Sequence, residues 1–135
     1  MFGSRPSKPQ NRIDSLIGAG TRVKGDLLFS GGLRVDGQID GNVIADPGKQ
    51  STLVLSEHAR VDGEISVTHL VANGVVTGPV RASEYLELQS KAKLVGDVHY
   101  KTLEIQLGAI VEGKLIHLAE AADKVVTLKL SGAES

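Results

Sequence analysis

The chain has 135 residues, with 15 Lys and Arg against 16 Asp and Glu. It is therefore long enough for one domain and lacks the basic excess of a general nucleic-acid binder. Cysteine is absent, which excludes disulfides, thiolate zinc sites and cysteine nucleophiles. No apolar run of about 18 residues and no secretory signal pattern occur, so the expected location is cytoplasmic.

Residues 1–15, MFGSRPSKPQNRIDS, are polar and rich in Pro and Ser, and read as a disordered tail. From residue 16 to about 118 a repeat takes over. The motif aliphatic-x-Gly-x-aliphatic opens at Val23-Lys24-Gly25-Asp26-Leu27 and returns around Gly41, Gly63, Gly78, Gly96 and Gly113. The intervals are 16, 22, 15, 18 and 17, the long one holding the turn-rich insertion 46–51. A second column, Leu53, Leu70, Leu86 and Leu103, and a third, Ala59, Gly74, Ala92 and Ala109, keep the same period. After Leu118 the repeat fades. Residues 119–124 suit a helical turn or a loop, Val125–Leu130 alternates like a last strand, and a short polar end follows. The expected domains are a tail at 1–15, a core at 16–118 and a C-terminal cap or strand at 119–135.

Within each unit apolar residues alternate, which predicts strands with one face buried. Val and Ile suit that pleated surface, whereas glycine at this frequency would cost a helix about 1 kcal/mol each. Strands this short bury their aliphatic side only by stacking coil on coil. About 17 residues per coil, split by bends, predict an all-β fold: one three-sided parallel β-helix of about six coils. Its narrow interior accounts for an aromatic content of 3% beside an apolar content of 41%.

The stretch Ile17-Gly18-Ala19-Gly20-Thr21-Arg22-Val23-Lys24-Gly25-Asp26-Leu27 resembles the bactofilins, as do Phe29-Ser30-Gly31-Gly32-Leu33-Arg34-Val35-Asp36-Gly37 and later repeats such as Val61-Asp62-Gly63-Glu64-Ile65. The resemblance covers about residues 13–118. It implies a right-handed β-helix and a bacterial cytoskeletal protein. Such proteins polymerise without nucleotide into filaments or sheets, often on the inner face of the cytoplasmic membrane, and act as scaffolds for cell-shape or envelope proteins.

A β-helix has two ends with unpaired backbone groups above an aliphatic core, an arrangement that invites pairing. Leu27, Leu28 and Phe29 lie in the first coil, and Ile116 and Leu118 in the last. These five are the candidate polymerisation contacts, with the chain itself as partner. In the tail, Met1 and Phe2 precede Arg5, Lys8 and Arg12, with no acid before Asp14. Each basic residue near an anionic membrane surface is worth about 1 kcal/mol, and burying one Phe roughly 2 kcal/mol. One tail would bind weakly, and many on a filament would bind by avidity.

Other chemistry is thinly represented. Four histidines occur, His58, His69, His99 and His117. His99 and His117 lie 18 apart and could share a face on neighbouring coils, but they lack a third ligand, so no metal is expected. Asp26, Glu64 and Asp97 follow column glycines and read as surface decoration, since Asn42, Pro79 and Lys114 share their place. No phosphate loop of the form Gly-x-x-x-x-Gly-Lys-Ser occurs, so neither nucleotide nor any other cofactor is expected. The enzyme alternative is a left-handed β-helix acyltransferase, whose strict six-residue phase and His-bearing substrate loop have no counterpart here. A non-polymerising β-helix docking module is the other alternative.

Overall fold

The structure, a computed structural model, describes residues 13–119, which form sixteen short strands and no helix. The first coil is β1 (Ser15–Ile17), β2 (Arg22–Lys24) and β3 (Leu27–Phe29), and the second is β4 (Gly31–Val35), β5 (Gln38–Asp40) and β6 (Val43–Ala45). The third holds β7 (Ser51–Leu55), β8 (Arg60–Asp62) and the start of β9 (Ile65–Ala72). The rest of β9, β10 (Val75–Thr77) and the start of β11 (Val80–Leu88) make the fourth. The fifth is the rest of β11 with β12 (Lys93–Val95) and β13 (Val98–Tyr100). The sixth is β14 (Leu103–Ile105), β15 (Ile110–Glu112) and β16 (Leu115–His117). All strand pairs are parallel and join each coil to the next, building a β-solenoid with three ladders.

The sequence columns are these ladders. In the first, Leu33, Leu53, Leu70, Leu86 and Leu103 stack in register. In the second, Val23, Ile39, Val61, Val76, Leu94 and Val111 do so. Ile39, Val61, Val76 and Leu94 are wholly buried. Each such side chain contributes roughly 1.5–3 kcal/mol relative to exposure, so the core is a rod of aliphatic carbon running along the stack. Ser15 opens β1, so the ordered core begins inside the segment read as tail. The Asp14 carboxylate accepts the Gly32 N–H at 2.9 Å.

Two kinds of corner explain the uneven period. Four-residue turns end with the Thr21, Ala59, Ala92 and Ala109 N–H groups donating to the Gly18, Ser56, Gln89 and Gln106 carbonyls. The second and fourth coils instead take short corners at Asp36-Gly37 and Asn73-Gly74. A Cβ on Gly74 would stand 2.5 Å from the Ala59 carbonyl oxygen of the coil below, so this corner admits only glycine. Coils with the short corner give intervals of 16 and 15, and those with the turn give 18 and 17. The longest interval adds the loop at 46–50. In the glycine column each residue lies on the glycine below it. A Cβ on Gly78, at φ 147°, would approach the Gly63 carbonyl oxygen to 2.3 Å.

Candidate assembly surfaces

Among the described residues nothing covers the two ends of the core. In coil one, Val23, Leu27 and Phe29 point inward and are only half-buried against the core. At the other end the contrast within a column is direct. Leu88 is 0% exposed while its partner Ile105 is 47% exposed, and Val98 is buried while Leu115 is 44% exposed. These are core positions without a following coil among the described residues. Leu118 continues the ladder by donating its N–H to the Tyr100 carbonyl at 2.7 Å, and is half-buried.

The five candidate contacts divide by direction. Leu27 and Phe29 belong to the end of the core. Leu28, 76% exposed, heads an outward column with Ile44, Ser66, Arg81, His99 and Ile116. Leu28 and Ile116 therefore lie on the flank, at opposite ends of the solenoid. The column of Phe29 runs inward through Ala45, Val67 and Ala82 to Tyr100 and His117, with rings at the ends and small residues between. Sequence reasoning did not single out Leu16, Ile105, Leu107, Ile110 and Leu115, all exposed. Ile105 and Leu115 were findable as inward members of the last coil. Leu107, at a turn tip, carries no periodic signal. Met1, Phe2, Arg5, Lys8 and Arg12, and the strand expected at Val125–Leu130, lie outside the described residues.

Two sequence expectations are corrected, and the structure adds a buried histidine. His69 is wholly buried, because β9 turns its corner there without leaving the ladder. The Thr68 hydroxyl donates to the Ser51 carbonyl at 2.6 Å, so His69 Nδ1 must donate to Thr68 Oγ1 at 2.9 Å. Among the described residues Nε2 is then a buried lone pair without a partner. Burial pushes the His69 pKa below its ordinary value, because the charged ring would lose water. His58, by contrast, is exposed at a turn tip.

His99 and His117 do not share a face. His99 is in register with Ile116 and His117 with Tyr100, on opposite sides of their strands. The His117 ring packs edge-on against Tyr100 at 5.5 Å, and its Nε2 lies 3.0 Å from the Lys101 carbonyl.

Asp26 and Asp97 are more than decoration. The Asp26 carboxylate accepts the Asn42 N–H at 2.9 Å, the Asn42 side-chain carbonyl accepts the Glu64 N–H at 2.8 Å, and Asp97 accepts the Lys114 N–H at 3.2 Å. Each satisfies a backbone donor that the bend removes from the ladder. Asn42 does the same work as the acids. Pro79, which has no N–H, needs no acceptor from Glu64 below it.

A family model described as Bactofilin, polymer-forming cytoskeletal, matches residues 15–116, which is the solenoid from its first strand to its last. The chain belongs to the bactofilin family. Bactofilins are structural cytoskeletal proteins and not enzymes, which removes the acyltransferase alternative. Bactofilin BacP of Myxococcus xanthus strain DK1622 is 26% identical over 109 residues, covering 81% of this chain and 44% of that protein. The chain thus spans less than half the length of that relative. No solved structure matches.

Proposed function

We propose that the chain is a scaffold subunit that polymerises end to end, core against core, without nucleotide. The observation that carries this reading is the pair of open core ends, Leu27 and Phe29 at one and Ile105 and Leu115 at the other. Among the described residues each end also presents a coil of strands paired on one side only, and proteins that stay monomeric cover such edges. Burying an end removes apolar area from water and pairs backbone groups in the same step. Leu28, Ile116 and Leu118 flank the contact.

Negative-stain microscopy of purified chain without nucleotide should show thin unbranched filaments. Phe29→Arg puts an unpaired charge into the contact and should yield monomers or dimers in sedimentation. Unchanged filaments from that variant would remove Phe29 from the contact. Absence of filaments from the unaltered chain would overturn the reading.

The filament is proposed to lie at the inner face of the cytoplasmic membrane. The tail residues Met1, Phe2, Arg5, Lys8 and Arg12 would hold it there through anionic lipid, and a cell-shape or envelope protein would be recruited. Supporting this is the charge of the first dozen residues, three basic and no acidic. Liposome flotation should be lost on deleting residues 1–10. Equal flotation of both forms would sink the anchor.

A further inference from the structure

Along the outer side of the first ladder one side chain per coil points to solvent: Leu16, Arg34, Val54, Val71, Glu87 and Glu104, in register from rung to rung. A contact between identical copies about a two-fold axis must place one patch against itself. Turned about an axis between the third and fourth coils, this column meets its own complement. Val54 faces Val71 twice at the centre, and Arg34 faces Glu87 twice beside it. The outermost rung, Leu16 opposite Glu104, adds no attraction. We propose that this face pairs two copies of the chain side by side and antiparallel, joining filaments laterally.

The charges on this face are available for a partner. Glu87 and Glu104 occupy adjacent rungs, about 4.8 Å apart, where like charges repel. They share the Tyr85 hydroxyl as donor, at 3.1 Å and 2.6 Å, and Gln89 Nε2 donates to Glu87 at 3.2 Å. Among the described residues neither has a cation in a salt bridge. An arriving guanidinium relieves that repulsion. Arg34, with its side chain 47% exposed, touches Asp36 at 3.0 Å through Nε. Such a surface pair is worth at most about 1 kcal/mol, and the guanidinium has further N–H donors for a second carboxylate. Val54 and Val71 are half-buried and uncharged, so the centre closes without desolvating an ion.

The other ladders carry less of this symmetry. The third, from Leu28 to Ile116, places no carboxylate in its outward column to meet Arg81. The second pairs four of its charges internally, Arg22 with Asp40 and Arg60 with Asp62, and the same rotation brings opposite charges together only at its outermost rung, Lys24 opposite Glu112.

Six coils span about 24 Å, so one pair of subunits buries less than the roughly 800 Å² per partner of a stable complex. Pairing is therefore weak between single subunits and accumulates along filaments. In its filament form the inference rests on the end-to-end reading.

The test uses Arg34→Glu and Glu87→Arg, each assembled separately. The unaltered chain should give paired or bundled filaments that separate near 1 M salt, where screening falls to about 3 Å. Each variant should give single filaments of normal length, with at least tenfold less material pelleting at low speed. Mixing the two preassembled variants should restore pairing, because each supplies the charge the other lacks. Pairing retained in either variant, or no restoration on mixing, overturns the proposal. A second readout does not need filaments. In this cysteine-free chain, Val54→Cys and Val71→Cys chains mixed under oxidation should crosslink to each other faster than either does alone, and equal rates overturn the proposal. Loss of filaments with this crosslink intact would count against end-to-end polymerisation only.

Discussion

Gly78→Ala tests whether the glycine column is a steric requirement of stacking. The added methyl carbon would lie 2.3 Å from the Gly63 carbonyl oxygen and 2.6 Å from its carbonyl carbon. Both are backbone atoms, so the coils must separate by roughly 1 Å to reach ordinary contact. That separation stretches two coil-to-coil bonds, Gly63 N–H to Thr77 O and Ile65 N–H to Pro79 O, each 2.9 Å. Losing them costs about 0.5–1.5 kcal/mol apiece. Holding alanine at φ 147° adds about 1–3 kcal/mol, so the total is about 2–6 kcal/mol. Gly25→Ala is the control. Gly25 has φ 119° but nothing within 4 Å of the built Cβ, so only the conformational cost of about 1–3 kcal/mol applies. The effect of alanine on the unfolded chain is common to both and cancels. At about 4 °C per kcal/mol for a domain of this size, Gly78→Ala should melt roughly 4–12 °C below Gly25→Ala. Far-UV circular dichroism at concentrations below assembly reads this. Equal destabilisation, within about 0.5 kcal/mol, would mean that backbone conformation alone selects glycine and that stacking does not.

Three further outcomes are expected. Leu70→Ala, in the buried middle of its column, should cost about 2–5 kcal/mol in denaturant titration, whereas Leu107→Ser, 96% exposed, should stay within about 0.5 kcal/mol. Burial lowers the His69 pKa in the folded chain, so the unfolded chain binds the extra proton first. Stability should be full above the ordinary value of about 6.5 and decline as pH falls from there toward the depressed folded pKa, by at most about 1.4 kcal/mol per pH unit. Comparing unfolding midpoints at pH 7.5 and 5.5 checks this, and His69→Leu should remove that component. Asn42→Ala strands the Glu64 N–H and should cost about 0.5–1.5 kcal/mol, while Asn42→Asp, which keeps an acceptor, should come close to the parent in the same titration.

Period, strand direction and inward side were all legible in the sequence. Alternation around Val61 or Leu94 is a local property of the chain, and stacking repeats it without change, so the columns of Leu53 and Gly63 align from the sequence alone. The Ala59 column likewise marked the corners, although the difference between a four-residue turn and a short corner at Gly74 emerged only when the coils were stacked. What tertiary structure alone decided depends on neighbours rather than on pattern. Leu88 and Ile105 are the same kind of residue in the same column, yet one is sealed and the other open, because burial requires a coil on both sides. His69 looks like any polar residue in a strand, but it sits where β9 turns a corner and two successive side chains face inward. Asp26 and Asn42 differ in charge, so sequence set them apart, while in the fold both accept a stranded N–H from the next coil. The complementarity of Arg34 with Glu87 belongs to the same class: the two are 53 residues apart in sequence and become rungs of one ladder only when the solenoid is wound.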